Sequence, residues 1–320
     1  MRRQLAARLV QSLVVVFIVT TISFIVIRLA PGDPFSYESS RITPEVRAHW
    51  RAQFGYDRPI PEQFVRYVVS AAHGQFGYSF SMHEPVSTAL AQSVPRTLLL
   101  TGVSLGLSFL LGLVIGVTQA ARRGSWFDRA SGAVLLLFYS LPDFWLALMA
   151  LLGFAYWWPV LPAGGIVDPV LHEYMSGGAA AVDRLRHLIL PALTLTLLTA
   201  AAVARYQRTA MLEILPSDYI RTARAKGVPE RQVIWRHALR TALTPLITLL
   251  GLTLPVLLGG ALFVEKVFSW PGMGMIAADA IGSRDYDLVT ATVIVGSLLV
   301  VAGNLLADLL QMAVDPRVRE

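Results

Sequence analysis

Glu213-Ile-Leu-Pro-Ser-Asp-Tyr-Ile-Arg-Thr-Ala-Arg-Ala-Lys-Gly-Val-Pro-Glu-Arg-Gln-Val-Ile-Trp-Arg-His-Ala-Leu-Arg240 is a polar, basic stretch between two long apolar ones. Ser217 or Asp218 can cap a short helix from Tyr219 to Lys226, because a side-chain oxygen satisfies N–H groups that the first turn leaves open. Gly227 then supplies a left-handed stop, a conformation that residues with a Cβ adopt only at a cost. Pro229-Glu230 opens a second helix, with proline where no N–H is needed and an acid that favours the dipole. The small faces of Ala223 and Ala225 would let the short helix enter a groove on another protein, with Arg221, Arg224 and Lys226 flanking the contact. The plainer alternative is a basic loop that satisfies topology and binds anionic membrane lipid.

Working outward, the flanking sequence is apolar on both sides. The chain has 320 residues, 55% hydrophobic and 15% charged, with a mean hydropathy of +0.57. Soluble domains carry about 25% charged residues, and disorder needs low hydrophobicity, so neither class fits. A membrane-spanning helix needs about 20 mainly apolar residues. Six runs qualify: 9–29, 95–120, 131–157, 187–207, 242–264 and 289–312. The first is too long for a signal peptide and is followed by Pro31-Gly32-Asp33-Pro34 rather than a small-residue cleavage site, so it reads as a retained anchor. The expected fold class is an all-α, polytopic membrane protein with six transmembrane helices.

Six spans put both termini on one side, and basic residues choose which. With both termini cytoplasmic, sixteen of the 27 Lys and Arg lie in inside segments: Arg2, Arg3 and Arg8; Arg122, Arg123 and Arg129; eight from Arg205 to Arg240; and Arg317 and Arg319. The short outside loops hold only Arg184, Arg186, Lys266 and Arg284. The positive-inside rule fixes the orientation, and the basic balance reflects topology rather than nucleic-acid binding. In the long outside segment, Thr43 with Pro44-Glu45 predicts a helix that stops at Gly55, and a second runs from Pro61 to Ala72. Trp50, Phe54, Phe64 and Tyr67 would then lie against the membrane face or each other.

Several motifs fail on context. Gly102-Val-Ser104-Leu-Gly106 matches a nucleophile elbow but sits inside an apolar helix. Gly102 with Gly106, and Gly112 with Gly116, read better as small-residue pairs that let helices approach. Gly272-Met-Gly274-Met-Ile-Ala277 mimics a dinucleotide fingerprint but lacks the preceding strand, and is expected to be a re-entrant turn. The six histidines show no metal-ligand spacing, and there is no cysteine. A P-loop requires Gly-Lys-Ser/Thr, yet the only lysines, Lys226 and Lys266, follow Ala225 and Glu265. If ATP powers this chain, another subunit must hydrolyse it.

Ionisable groups at membrane depth are costly and tend to mark function. Asp143 follows Pro142 inside the third run; it either lines a pathway, where it can greet a peptide's ammonium group, or snorkels or pairs at a kink. Asn304 and Asp308 lie one turn apart and are expected to face the bundle, whereas Glu265 with Lys266 is expected at the interface.

Arg221-Thr-Ala-Arg-Ala-Lys-Gly227 resembles the "EAA" loop of ABC-importer permeases in its dipeptide/oligopeptide/nickel form. Arg28-Leu-Ala-Pro-Gly-Asp-Pro34 and Gly74-Gln-Phe-Gly-Tyr-Ser-Phe80 resemble that branch's first span end and periplasmic segment. Val264-Glu-Lys-Val-Phe-Ser-Trp-Pro-Gly-Met-Gly274, Arg284-Asp-Tyr286 and Asp315-Pro-Arg317 resemble its last third. Arg221 stands where the generic loop has Glu, and Arg240 where it has proline, replacements common in the peptide branch; Asp143 is a departure.

The resemblance implies a type I ABC importer permease fold: 1–94 as first span plus periplasmic cap, 95–312 as a five-helix core with coupling loop 211–241, and 313–320 as cytoplasmic tail. It implies a non-enzymatic subunit in a bacterial inner membrane that carries short peptides, or nickel chelates or glutathione by the same architecture. A secondary carrier without an ATPase is the rival from another class. The implied partners are a second permease chain, two ATPase subunits binding ATP and Mg, and a periplasmic or lipid-anchored binding protein. The coupling residues would be Asp218, Tyr219, Arg221, Thr222, Ala223, Arg224, Ala225, Lys226 and Gly227.

Overall fold

A computed structural model describes residues 2–30, 43–258 and 261–314. Pro31–Pro34 and Asp315–Arg317 therefore lie outside the described residues. In chain order the elements are α1 (Arg2–Leu29), α2 (Pro44–Gln53), α3 (Ile60–Ala72), the short antiparallel pair β1 (Tyr78–Ser79) and β2 (Glu84–Pro85), and α4 (Val86–Ala121). They continue with α5 (Trp126–Ser140), α6 (Asp143–Trp157), α7 (Gly177–Ile214), α8 (Asp218–Ala225), α9 (Glu230–Ala242) and α10 (Thr244–Leu258). The chain closes with α11 (Leu262–Val267), α12 (Met273–Ser283) and α13 (Tyr286–Val314).

The all-α, polytopic class holds. Val10–Leu29, α4, α7 and Tyr286–Leu310 are each long and apolar enough to cross a membrane. Two bent pairs, α5 with α6 at 105° and α9 with Thr244–Val256 at 52°, also have the length and apolarity to cross, which brings the candidates to six if each pair is one broken span. Proline explains both bends. Pro142 pushes Leu141 into extended backbone (φ −83°, ψ 138°), and Pro245 cannot donate a hydrogen bond back to Thr241. The run read as 242–264 is not one helix: Ala261, at φ −98° and ψ 61°, is not helical, and α11 starts after it as a separate short piece.

Two compact units emerge. One comprises residues 1–97 and 271–301. Thr43 Oγ1 accepts from Val46 N to start α2, and Gly55 at φ +72° ends it, as its sequence predicts. α3 lays aromatics on α1, with the Phe64 ring 5.4 Å and the Tyr67 ring 5.6 Å from that of Phe24. Below them Val86, Ala89 and Leu90 of α4 pack on Ile276 and Ala280 of α12 and on Leu288 of α13. The Gly272–Ala277 stretch is not a re-entrant turn: it opens α12, with Thr97 Oγ1 accepting from Met273 N at 2.7 Å.

The other unit comprises residues 98–270 and 302–320, with the largely buried α7 at its centre. Gly112 and Gly116 lie against it, and a Cβ on Gly116 would stand 2.5 Å from the Ala204 carbonyl oxygen. A Cβ on Gly102 or Gly106 would meet nothing within 4 Å, so of the two small-residue pairs it is Gly112 and Gly116 that bring helices together among the described residues. Ser104 Oγ donates to the Leu100 carbonyl 2.7 Å away, a helix-internal bond that ends the nucleophile reading. Asp128 and Arg208 join α5 to α7 through two bonds of 2.8 and 3.0 Å. Glu265 is fully buried; of the pair expected to face the bundle, Asp308 is half-buried and Asn304 is exposed.

Candidate functional site

Helix α8 runs from Asp218 to Ala225, one residue earlier at each end than the sequence suggests. Ser217 takes the extended backbone of an N-cap, but its side chain makes no capping bond and its Oγ is buried without a hydrogen-bond partner. Thr222 Oγ1 donates to the Asp218 carbonyl at 2.9 Å, and Arg221 lies 3.4 Å from Asp218 Oδ1.

The C-terminal end is tightly specified. Lys226 N donates to Thr222 O, Gly227 N to Arg224 O, and Val228 N to Ala223 O at 3.0, 3.0 and 3.2 Å. With Gly227 at φ +76°, these bonds form a Schellman motif, in which a left-handed residue lets the last carbonyls find donors. The hydrophobic contact that usually accompanies the motif is present too, since Ala223 and Val228 pack on one core cluster.

That cluster fixes the helix to the unit. Ile220 is fully buried among Val117, Ala120, Met211, Val233 and Ala238. Two braces reinforce it: Arg224 donates to both Glu230 oxygens at 3.0 and 2.7 Å, and Tyr219 Oη donates to Thr241 Oγ1 at 3.1 Å. The Glu230 carboxylate holds Arg224 above the usual guanidinium range, so that charge persists at any working pH.

The exposed face carries Asp218, Tyr219, Arg221, Thr222, Arg224, Ala225, Lys226 and Gly227. Of the two alanines expected to enter another protein, only Ala225 is available; Ala223 is half-buried against the chain's own core. Sequence reasoning missed Glu230 as the brace for Arg224 and Ile220 as the anchor. Ile220 was readable, being the one large aliphatic between Asp218 and Gly227.

The remaining candidate, Asp143, is the first residue of α6 at the 105° bend, half-buried, with Oδ1 accepting from Phe144 N at 2.8 Å. Among the described residues, no group of three or more His, Asp and Glu side chains is placed to hold a metal ion.

The chain as a whole has counterparts among known sequences. The family described as "Binding-protein-dependent transport system inner membrane component" matches residues 109–320, and its N-terminal companion family matches residues 1–101. The chain belongs to this family. Relatives within it include the di/tripeptide transport system permease protein DppB of Pseudomonas aeruginosa (strain UCBPP-PA14), 38% identical across 95% of this chain and 94% of that protein. The oligopeptide transport system permease protein AppB of Bacillus subtilis (strain 168) is 35% identical across 97% of both chains. The dipeptide transport system permease protein DppB of Escherichia coli (strain K12) is 35% identical across 94% of both. Among solved structures, a chain of the MetNI methionine ABC transporter in an inward-facing conformation matches 69% of this chain and 95% of its own length. Its TM-score is 0.50 at 24% identity, which supports the fold alone.

Proposed function

We propose that the chain is the transmembrane permease subunit of an ATP-driven importer of short peptides, and that α8 is where ATPase subunits engage it. Family membership and full-length relatives named as peptide permeases support the assignment. The observation that carries the coupling role is the construction of α8: a charged, exposed face on a helix locked to its unit by Ile220, Arg224–Glu230 and the Gly227 turn. A helix held this stiffly transmits a push as a rigid-body movement instead of absorbing it.

In this reading both termini and α8 face the cytoplasm, as the distribution of basic residues supports. ATP and Mg reside on the partner subunits, a second permease chain completes the pore, and a binding protein delivers substrate. The test is purification of the tagged chain from native membranes in mild detergent. Two ATP-binding-cassette subunits and a second permease should accompany it. Recovery of the chain alone or as a homodimer, unchanged after cross-linking, would overturn the reading in favour of a secondary carrier.

A further inference from the structure

A cavity of about 290 Å³ opens within the unit formed by residues 1–97 and 271–301, with Arg28, Tyr56, Arg58, Arg66, Tyr67 and Asp287 in its walls. Arg28 is the penultimate residue of the apolar run Val10–Leu29, and its side chain is only 10% exposed. Its Nη2 lies 3.4 Å from Asp287 Oδ1. Its guanidinium carbon sits 4.3 Å from the centroid of the Tyr56 ring and 5.1 and 5.6 Å from those of Phe24 and Tyr286. Three rings therefore hold the fork in place by cation–π contact.

The fork is nevertheless incomplete. Arg28 Nε and Nη1, and the Tyr67 hydroxyl on the same cavity wall, are buried with no hydrogen-bond partner. A guanidinium N–H can only donate. Burial pushes the Tyr67 hydroxyl well above the ordinary phenol range, so it too keeps its proton and donates. Buried donors left unanswered are rare in folded proteins, and three on one cavity wall ask for an acceptor with several oxygens. Arg58 and Arg66, which share the Glu62 carboxylate at 2.6 and 3.2 Å, also line the wall, and Asp287, the one acid among its described residues, is already taken by Arg28 and by the Tyr56 hydroxyl at 3.3 Å.

We propose that this cavity binds the phosphate oxyanion of a phospholipid in the leaflet at the C-terminal end of α1. That leaflet is the outer one in the orientation proposed above; the site itself does not depend on that reading. Two observations choose lipid as the source. Arg28 and Tyr286 both stand at the ends of apolar runs, the depth at which headgroups and aromatic belts lie. Ile22, Ile25 and Val26 of α1 are exposed in the turns leading up to Arg28, an apolar track for the acyl chains. The volume sits at the small end of the range for ligand pockets, suiting a headgroup better than a whole soluble ligand.

The experiment uses the complex purified with its partners, with wild type compared against Tyr67→Phe and Arg28→Lys. Native mass spectrometry counts phospholipid retained after extended detergent washing. Thermal shift is then read on adding dioleoylphosphatidylglycerol, dioleoylglycerol or glycerol 3-phosphate. Wild type should retain a phospholipid, Tyr67→Phe should lower its occupancy about fivefold, one hydrogen bond's worth, and Arg28→Lys should lower it further. Only the phosphate-bearing lipid should stabilise the wild type. Tyr67→Phe removes a hydroxyl that bonds nothing in the fold, so it carries the test even if the Arg28 variant does not accumulate. Equal retention in wild type and Tyr67→Phe, or equal stabilisation by dioleoylglycerol, would sink the proposal. Stabilisation by glycerol 3-phosphate alone, as large as that by the lipid, would overturn the lipid source and leave a soluble phosphate monoester.

Discussion

Asp285 Oδ2 accepts from Ser79 Oγ at 2.7 Å, although the two residues are 206 positions apart. The same oxygen accepts from Ser81 Oγ at 2.8 Å and Ser81 N at 3.0 Å, while Oδ1 accepts from Leu288 N at 3.3 Å in the first turn of α13. One buried carboxylate thus caps α13 and pins the end of β1. Asp285→Ala should cost about 3 kcal/mol, because it removes charge-assisted bonds and leaves buried hydroxyls without an acceptor. Ser79→Ala should cost about 1 kcal/mol. Thermal unfolding in detergent, with limited proteolysis of residues 74–85, reads both; proteolysis at the wild-type rate in Asp285→Ala would refute the pinning role.

Gly227 sits at φ +76° with open space where a Cβ would go, so a substitution there strains backbone and nothing else. A left-handed residue with a Cβ costs about 1–2 kcal/mol, more when β-branched. Gly227→Val should leave folding and partner assembly measurable but shift the end of α8, uncoupling ATP hydrolysis from transport. Gly227→Asn, which tolerates this region, should retain most activity. Transport and ATPase rates are measured in proteoliposomes; normal coupling in the valine variant would remove α8 from the coupling role.

How legible was this in the sequence? Turn chemistry was: Thr43, Gly55 and Gly227 all do what their type dictates, because caps and left-handed stops are local. Apolar length located the spans, but not that two of them bend, since Pro142 and Pro245 each permit either a kink or a break. What sequence reading could not reach is pairing at distance. Nothing near Arg224 announces Glu230 as its partner rather than another acid, and nothing near Ser79 announces Asp285. Ala223 went astray for a related reason, since an eight-residue helix presents small side chains on both faces and only the packed structure says which face is covered.

The two small-residue pairs of α4 make opposite predictions. Gly116→Val should be strongly destabilising, because the new Cβ would meet the Ala204 carbonyl oxygen, the Gln207 Cβ and the Arg208 nitrogen, two of which are backbone atoms that cannot swing aside. Overpacking of this kind costs about 1–3 kcal/mol or more. Gly106→Ala, with no neighbour within 4 Å, should instead be neutral or slightly stabilising for the isolated chain, since alanine is the better helix former. Melting temperatures of the two variants decide it, and comparable losses in both would contradict the packing of α4 on α7.

Asp143 offers a split between two readings. Its Oδ1 already accepts the Phe144 N–H, so a purely structural role needs an acceptor and not a charge. Asp143→Asn should therefore leave expression and melting temperature close to wild type. If the carboxylate also meets the ammonium group of a passing peptide, uptake of free-amino dipeptides should fall about tenfold, the scale of one charge-assisted contact, with N-acetylated peptides unaffected. Uptake assays with both classes decide this; unchanged transport with the wild-type substrate range would confine Asp143 to the bend.

Asp168 predicts a pH response in the loop between α6 and α7. Its Oδ1 accepts from Leu171 N at 2.8 Å and from Val170 N at 2.9 Å, and these two bonds hold its carboxyl below the usual carboxylate range. A lowered folded-state value means that the contribution is present above the ordinary carboxylate value, about pH 4, and is lost as pH falls through the lowered one. Protection factors for the Val170 and Leu171 amides should therefore be steady from about pH 7 to about pH 5 and fall below about pH 4. Asp168→Asn keeps an acceptor oxygen without a titrating charge, so its protection should be weaker at neutral pH but flat on acidification. The neighbouring Asp183, whose Oδ2 accepts from Asp168 N at 3.0 Å and lies 2.7 Å from His172 Nδ1, is left intact in that variant. An acid-induced loss persisting in Asp168→Asn would transfer the response to Asp183 and its histidine.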